Sequence, residues 1–358
     1  MTDATRVKVL IVDDSAMMRN VLQMGLSQDP QIEIIGSASN GEQAWEFVQH
    51  ARPDVITLDL NMPKEDGMSF LRRLIPAMPI PVVVISSLTQ DGTEATVAAM
   101  EAGAVDVISK PIIGPLSKPN MMAEVCYRIR SASTASPTLG RSLRAHNCTL
   151  RPRDLPQAFR SQAVIAIGAS TGGVQALTRI LPLFPAQSPS ILLVQHMPEG
   201  FTGAFAKRLD SMTQMRVVEA QDGDAVQAGT ILIAPGGARH MKLIGHGKGY
   251  RITLVEGEPV SYSRPSVDVL FHSVAKEAGR HAVAALLTGM GRDGAEGMLA
   301  MRKAGAQTYA QNEETCVVFG MPQAALHMNA ASACLPLDDI PDRLLRAVSA
   351  PTAAPLRA

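Results

Sequence analysis

Short apolar runs alternate with stretches of helical spacing along most of the chain. VKVLIV (7–12), IEIIGSA (32–38), DVITLD (54–59), PVVVISS (81–87) and AVDVISK (104–110) are largely apolar. That is the pattern of strands covered on both faces of a parallel sheet. Between them, residues 17–26 and 41–50 carry apolar positions at helical spacing. Five such β/α units fill residues 7 to about 130. They predict a doubly wound α/β domain with its site at the carboxyl ends of the strands.

The pattern lapses after Arg130. Residues 131–160 hold Pro137, Pro152, Pro156 and several serines, and read as a linker. Arginines 141, 144, 151, 153 and 160 face a single acid, Asp154. The plain reading is a solvated tether; the alternative is a strip that docks on an acidic partner. Alternation then resumes. AVIAIG (163–168), SILLVQH (190–196), TILIAPG (230–236) and HAVAALLTG (281–289) read as strands, and 173–181, 201–209, 266–278 and 294–304 as helices. KLIGHGKGYRITLVEG (242–257) reads as a β-hairpin. The expected division is a first domain at 1–130, a linker at 131–160, a second doubly wound domain at 161–350 and a disordered tail at 351–358.

Composition narrows the function classes. Apolar residues make up 46% of the 358, enough for two cores, while 33 basic and 33 acidic residues cancel. Binding nucleic acid through bulk charge is thereby disfavoured, and no convincing helix-turn-helix follows the linker. Cys126, Cys148, Cys316 and Cys334 form no CxxC pair, so neither a disulfide scaffold nor a zinc site is expected. The apolar run at 7–12 is too short for a secretory signal. No apolar stretch approaches the roughly 18–20 residues that span a bilayer. A soluble, cytoplasmic protein without membrane insertion is expected.

Five chemistry-bearing positions fall at strand ends of the first domain. Asp13 and Asp14 follow the first strand, Asp59 ends the third, Ser86 the fourth and Lys110 the fifth. A doubly wound sheet gathers these ends at one edge. Clustered carboxylates raise one another's pKa unless a hard cation intervenes, and Mg²⁺ bridges carboxylate to phosphate. One carboxylate can then accept a phosphoryl group while the metal and Lys110 offset its charge. Ser86 can bond the product phosphate. Taken singly, Asp13–Asp14 reads as a helix cap and Asp59 as a turn residue.

With VDDS (12–15), TLDLNMP (57–63), ISS (85–87) and KP (110–111), residues 7–130 resemble the response-regulator receiver family, a flavodoxin-like fold. The resemblance implies an aspartyl phosphate at Asp59. It also implies Mg²⁺ held by Asp13, Asp14, Asp59 and the Asn61 carbonyl, and a histidine kinase as donor. Receivers usually carry an aromatic three residues before the lysine; here that position is Val107. Without a ring to rotate, signalling is expected to run through loop and helix shifts.

In the second domain, VIAIGASTGG sets Ser170 between a strand and a helix, with Gly168, Gly172 and Gly173 allowing a tight turn. A helix N-terminus there suits an anion or a developing oxyanion. Ser170 reads as a nucleophile, as a simple N-cap, or as part of a dinucleotide cradle. The spacing G-x-x-x-G-G departs from G-x-G-x-x-G and weakens the last. VQHMPEGF puts His196 at the next strand end, and LLTGMGRDGA puts Asp293 in a glycine-rich turn. Serine, base and orienting carboxylate at one edge suit acyl transfer. The order Ser…His…Asp and the missing GxSxG elbow separate this from α/β-hydrolases. His240 also follows a strand and can line the cleft. His272 and Asp268, four apart on a helix, can pair with each other. His50, His146, His246, His281 and His327 lack a serine or carboxylate context.

On IGASTGG (167–173), QHMPEGF (195–201), IAPGGARHM (233–241), RPSVDVLFHSVA (264–275), LTGMGRDGA (287–295) and AQNEETCVVFGMP (310–322), residues 163 to about 330 resemble the catalytic domain of chemotaxis protein-glutamate methylesterases. GGARH carries one glycine more than the commoner form. The resemblance implies a Rossmann-like domain with Ser170 as nucleophile, His196 as base and Asp293 as orienter. Backbone N–H groups of Thr171 and Met290 would be the oxyanion donors. It implies methylated chemoreceptors as substrates, deamidation of receptor glutamine, and no cofactor for hydrolysis. The domain order adds the expectation that the receiver restrains the catalytic domain until Asp59 is phosphorylated.

Overall fold

The computed structural model describes residues 6–87, 89–110, 121–136 and 158–350. The expected tail and residues 137–157 of the linker, with four of its arginines, lie outside them. The first sheet is parallel, in the order β2 (Ile32–Ala38), β1 (Val7–Val12), β3 (Val55–Leu58), β4 (Val82–Ser86), β5 (Asp106–Ser109). This 2-1-3-4-5 order is the flavodoxin-like winding. Val9, Leu10, Val55, Ile56, Val83 and Val84 are fully buried, as continuous apolar runs require. Helix α1 (Ala16–Leu26) is capped by Ser15, whose Oγ accepts from Met18 N at 3.3 Å. Asp13 and Asp14 are therefore free of the capping role.

The second sheet has seven parallel strands. Their order is β14 (Ala333–Leu335), β13 (Gln307–Gln311), β12 (Ala282–Leu286), β6 (Val164–Ala169), β7 (Ser190–Gln195), β9 (Thr230–Ile233), β8 (Arg216–Glu219). β6 and β12 are neighbours, and the winding turns in opposite directions from them. That reversal opens the crevice where doubly wound domains bind ligands. Three of these strands, β8, β13 and β14, have no counterpart in the sequence reading. The expected hairpin is β10 (Arg239–His246) with β11 (Gly249–Glu256), antiparallel and in register.

The two domains pack directly on each other. Helices α4 (Gln90–Ala102) and α5 (Met121–Ser133) of the first face α6 (Gly173–Ile180), α7 (Phe201–Asp210) and neighbouring loops of the second. α5 runs three residues past Arg130. At the other end of the expected linker, Phe159 pairs with Ser349 and Arg160 bonds Arg280 O and Ala347 O. These residues therefore pack on the second domain.

Candidate active site and phosphoacceptor site

At the edge of the first sheet, Asp13, Asp14 and Asp59 each offer an oxygen, all within 4.8 Å of one another. Asp13 and Asp59 are buried and Asp14 is exposed. Lys110 Nζ lies 2.6 Å from Asp59 Oδ2 and 3.2 Å from Asp13 Oδ2. Burial pushes the Asp13 carboxyl up; Ser15 N–H and Lys110 oppose this and the Asp59 charge adds to it. Burial would lower the Lys110 pKa, but Asp59 and Asp13 outweigh it and hold the ammonium well protonated. Apart from the Lys110 ammonium, the buried Asp13 Oδ2 has no hydrogen-bond partner. An all-oxygen set of three carboxylates with spare acceptor capacity fits Mg²⁺. Asn61 N–H donates to Asp59 Oδ1 at 3.3 Å. Ser86 is buried at the same edge, its hydroxyl donating to Gly92 O at 3.3 Å. Val107 is buried in the core of the first domain.

In the second domain, register brings the serine and histidine together. Ala169 and Gln195 are partners on β6 and β7, so Ser170 and His196 leave adjacent strands side by side. His196 N–H donates to Ala169 O at 3.1 Å, and Ser170 N–H to Thr288 O, past the end of β12, at 3.0 Å. Helix α6 begins at Gly173 with Gly172 as its cap, so Ser170 is not the N-cap. Gly172 has φ +79°, and a Cβ there would sit 2.3 Å from Val317. Only glycine fits that turn.

Asp293 is 1% exposed and fully hydrogen-bonded. Oδ2 accepts from His196 Nε2 at 2.8 Å and Val267 N at 2.7 Å; Oδ1 accepts from Ser266 Oγ at 2.7 Å and Asp268 N at 3.0 Å. Ser266 to Asp268 form the N-terminus of α8 (Val267–Glu277), where the helix dipole favours an anion. Burial alone would raise the Asp293 pKa; the His196 bond and charge and these donors outweigh it, holding the carboxyl below the usual range. Its neighbour Asp268 shows the opposite shift. Burial, opposed by Gly297 N–H and aided by the Asp293 charge, lifts it to about 7. The pair thus divides into an Asp293 that favours its ionised form and an Asp268 that holds its proton well above the ordinary carboxylate range. Asp268 turns inward and His272 outward, so the helix pairing open to them in sequence does not form.

His240 sits behind the site. Its Nδ1 accepts from Ser266 N at 3.1 Å, and its Nε2 donates to Glu258 O at 2.9 Å. One backbone donor and one carbonyl acceptor fix the orientation of the ring. Sequence reasoning placed His240 at the cleft but did not connect it to Ser266.

His196 Nε2 being taken, Nδ1 is its free nitrogen. Among the described residues no hydrogen bond joins it to Ser170. The hydroxyl it meets is Ser263 Oγ, at 3.1 Å. Among the described residues, no partner takes the Thr171 or Met290 N–H. The first domain, however, reaches the loop that carries Ser170. Gly172 N–H donates to Val105 O at 3.0 Å, and Thr171 Oγ1 to Asp106 Oδ2 at 3.0 Å. Gln175 Nε2 donates to Met100 O at 2.8 Å and also to Ala104 O. Tyr127 of α5 stacks on Tyr262 with ring centroids 5.6 Å apart. No sequence signal marks these contacts. As a chemical ensemble, the edge offers a serine, a histidine fixed by a buried carboxylate, and spare N–H groups, which is equipment for acyl transfer.

Comparison with known proteins agrees. Residues 165–344 match the family model described as CheB methylesterase, and residues 9–117 that of the response regulator receiver domain. The chain is 54% identical over 353 residues to a protein-glutamate methylesterase/protein-glutamine glutaminase 2 of Cereibacter sphaeroides, covering 98% of this chain and 94% of that one. It is 45% identical over 352 residues to a protein-glutamate methylesterase/protein-glutamine glutaminase of Escherichia coli O157:H7, covering 97% and 98%. Among solved structures, the Thermotoga maritima CheB methylesterase catalytic domain aligns with TM-score 0.51 and 38% identity, over 52% of this chain and 99% of that one.

Proposed function

The chain belongs to the CheB methylesterase family, with a receiver domain ahead of the catalytic domain, and on that footing we propose that Ser170, His196 and Asp293 hydrolyse glutamyl methyl esters of chemoreceptors under control of Asp59. The protein is a phosphorylation-regulated protein-glutamate methylesterase and protein-glutamine glutaminase, a hydrolase of chemotaxis. Among the described residues no helix is long and apolar enough to cross a membrane.

The observation carrying the mechanism is the 2.8 Å bond between Asp293 and His196 Nε2, beside the strand that delivers Ser170. It leaves Nδ1 as the base. Nδ1 takes the Ser170 proton as Oγ attacks the ester carbonyl, and the oxyanion is received by the N–H groups of Thr171 and Met290. The imidazolium returns its proton to the departing methoxide, releasing methanol. Water, deprotonated by the same nitrogen, resolves the acyl-enzyme to glutamate. Glutamine follows the same path with ammonia as leaving group. The hydrolytic steps use no cofactor.

Receiver domains use Mg²⁺ in phosphorylation. Here Asp13, Asp14, Asp59 and the Asn61 carbonyl would hold it, and it would offset charge on the incoming phosphoryl group. Asp59 accepts phosphoryl from a histidine kinase, and Lys110 and Ser86 receive its oxygens. In the unphosphorylated form Val105 O and Asp106 occupy groups one and two residues past the nucleophile. They lie at the start of β5, whose far end leads to Lys110. Phosphorylation adds about −1.5 to −2 charge at Asp59. Re-seating Lys110 then draws β5, and the Asp106–Thr171 contact is released without an aromatic at position 107.

A serine-directed fluorophosphonate tests the nucleophile. Label on the Ser170 peptide supports the reading. Label on the Ser263 peptide supports a second one, favoured by the 3.1 Å approach of Ser263 Oγ to His196 Nδ1.

A further inference from the structure

His196 Nδ1 has one task in the proposed reaction, taking the proton of Ser170, yet the hydroxyl bonded to it belongs to Ser263. A lone pair already accepting one hydroxyl is a poor base for another. Ser263 closes a tight turn with Val260, bonded N–H to O in both directions at 3.0 and 2.9 Å. Ser261 and Tyr262 between them have φ of +50° and +64°, left-handed values uncommon for non-glycine residues that the two-residue turn demands. Behind the turn, Arg264 ties its base down through Nε to Gly237 O at 2.7 Å and NH1 to Gly257 O at 2.6 Å. In front, the turn meets the receiver. Tyr262 is 75% exposed, but its ring stacks on that of Tyr127, in α5. The Tyr127 hydroxyl lies so close to Gly291, two residues before Asp293, that a Cβ there would be 2.7 Å from it.

We propose that Ser263 is a positioning residue: in the receiver-docked form its hydroxyl holds His196 Nδ1 away from Ser170, and the Tyr127–Tyr262 stack keeps it there. This rests on Ser170 being the nucleophile. It adds to the β5 contacts on the Ser170 loop a second, chemical restraint, in which the receiver disables the base itself. Release of α5 frees Tyr262, the turn relaxes, and Nδ1 becomes available.

Methanol release from methylated receptor is measured with the full chain, unphosphorylated and after acetyl phosphate, for wild type, Ser263→Ala, Ser263→Thr and Tyr127→Ala. Loss of one hydrogen bond is worth about fivefold. Ser263→Ala is expected to raise the unphosphorylated kcat by about that factor with KM unchanged, and to shrink activation by phosphorylation equally. Ser263→Thr, which keeps the hydroxyl, restores wild-type activation. Tyr127→Ala shrinks activation as Ser263→Ala does, and combining the two adds little, since both remove one restraint. Activation unchanged in Ser263→Ala, or kcat falling in both states, overturns the proposal. If fluorophosphonate still labels Ser170 in that case, the nucleophile assignment stands and the restraint alone fails; if it labels Ser263, the assignment itself has failed.

Discussion

The contact between Asp106 and Thr171 joins β5 of the first domain to the Ser170 loop, and cutting it has a calculable effect. Thr171 Oγ1 donates to Asp106 Oδ2 at 3.0 Å, with both residues buried. A hydrogen bond to a charged acceptor contributes roughly 1.5–3 kcal/mol. Taking about 2 kcal/mol, Asp106→Ala shifts the docked–undocked balance about thirtyfold toward undocked. The same change strips Arg128 of a partner at 2.9 Å, though Glu124 remains at 3.0 Å, so the receiver loses some stability of its own. A double-mutant cycle separates the two effects. Thr171→Val keeps the backbone N–H and removes only the hydroxyl. If the contact restrains the enzyme, each single variant raises methanol release by the unphosphorylated chain, up to the ceiling of the phosphorylated rate. The double variant then rises by clearly less than the product, a coupling of about 1–2 kcal/mol. Single variants that remain folded yet release methanol at the wild-type unphosphorylated rate would refute the role assigned to β5.

Other consequences concern charge, metal and backbone. The folded-state pKa of Asp268 is raised to about 7, so the native state holds a proton that the unfolded chain has lost. Stability from this group is full below about pH 4 and is lost as pH climbs through about 7. Thermal midpoints of Asp268→Asn, whose amide can still donate to Asp293, are therefore expected to exceed wild type more at about pH 8 than at about pH 5. Asp293 has the opposite sign: its depressed pKa stabilises the fold above the ordinary carboxylate range and ceases to do so as pH falls through the depressed value. Removing Mg²⁺ with a chelator, or Asp13→Asn, is expected to abolish activation by acetyl phosphate; activation that persists without divalent cation would argue against the three-carboxylate site. Gly172→Ala imposes a left-handed backbone costing about 1–2 kcal/mol as well as a clash with Val317, and is expected to lower both the unfolding midpoint and the hydrolysis rate. An unchanged rate would mean the loop tolerates displacement.

Legibility followed local pattern. β6 and β1 from Val9 onward read clearly because burial on both faces makes them continuous apolar runs. β8 and β14 lie at sheet edges, are short, and are largely exposed or only partly buried, and β13 (QTYAQ) is polar in spelling though largely buried. That Ser170, His196 and Asp293 lie at one edge of the sheet is legible because each follows a strand, and winding places strand ends together. The groups that hold Asp293 were not, because Ser266 looks like any helix cap; its second bond, to a carboxylate 27 residues away, leaves no periodic trace. Ser263 and the Asp106–Thr171 bond are still less visible, depending on how two domains meet rather than on the pattern of either.

The central claim, a Ser170 esterase opened by phosphorylation at Asp59, is met most directly by methanol release from methylated receptor. The comparison is between wild type, Ser170→Ala and Asp59→Asn, each with and without acetyl phosphate. Wild type is expected to release methanol slowly, and faster once phosphorylated; Ser170→Ala is expected to release none in either state, and Asp59→Asn to show no acceleration. Equal release by wild type and Ser170→Ala, or acceleration of Asp59→Asn, would contradict the account.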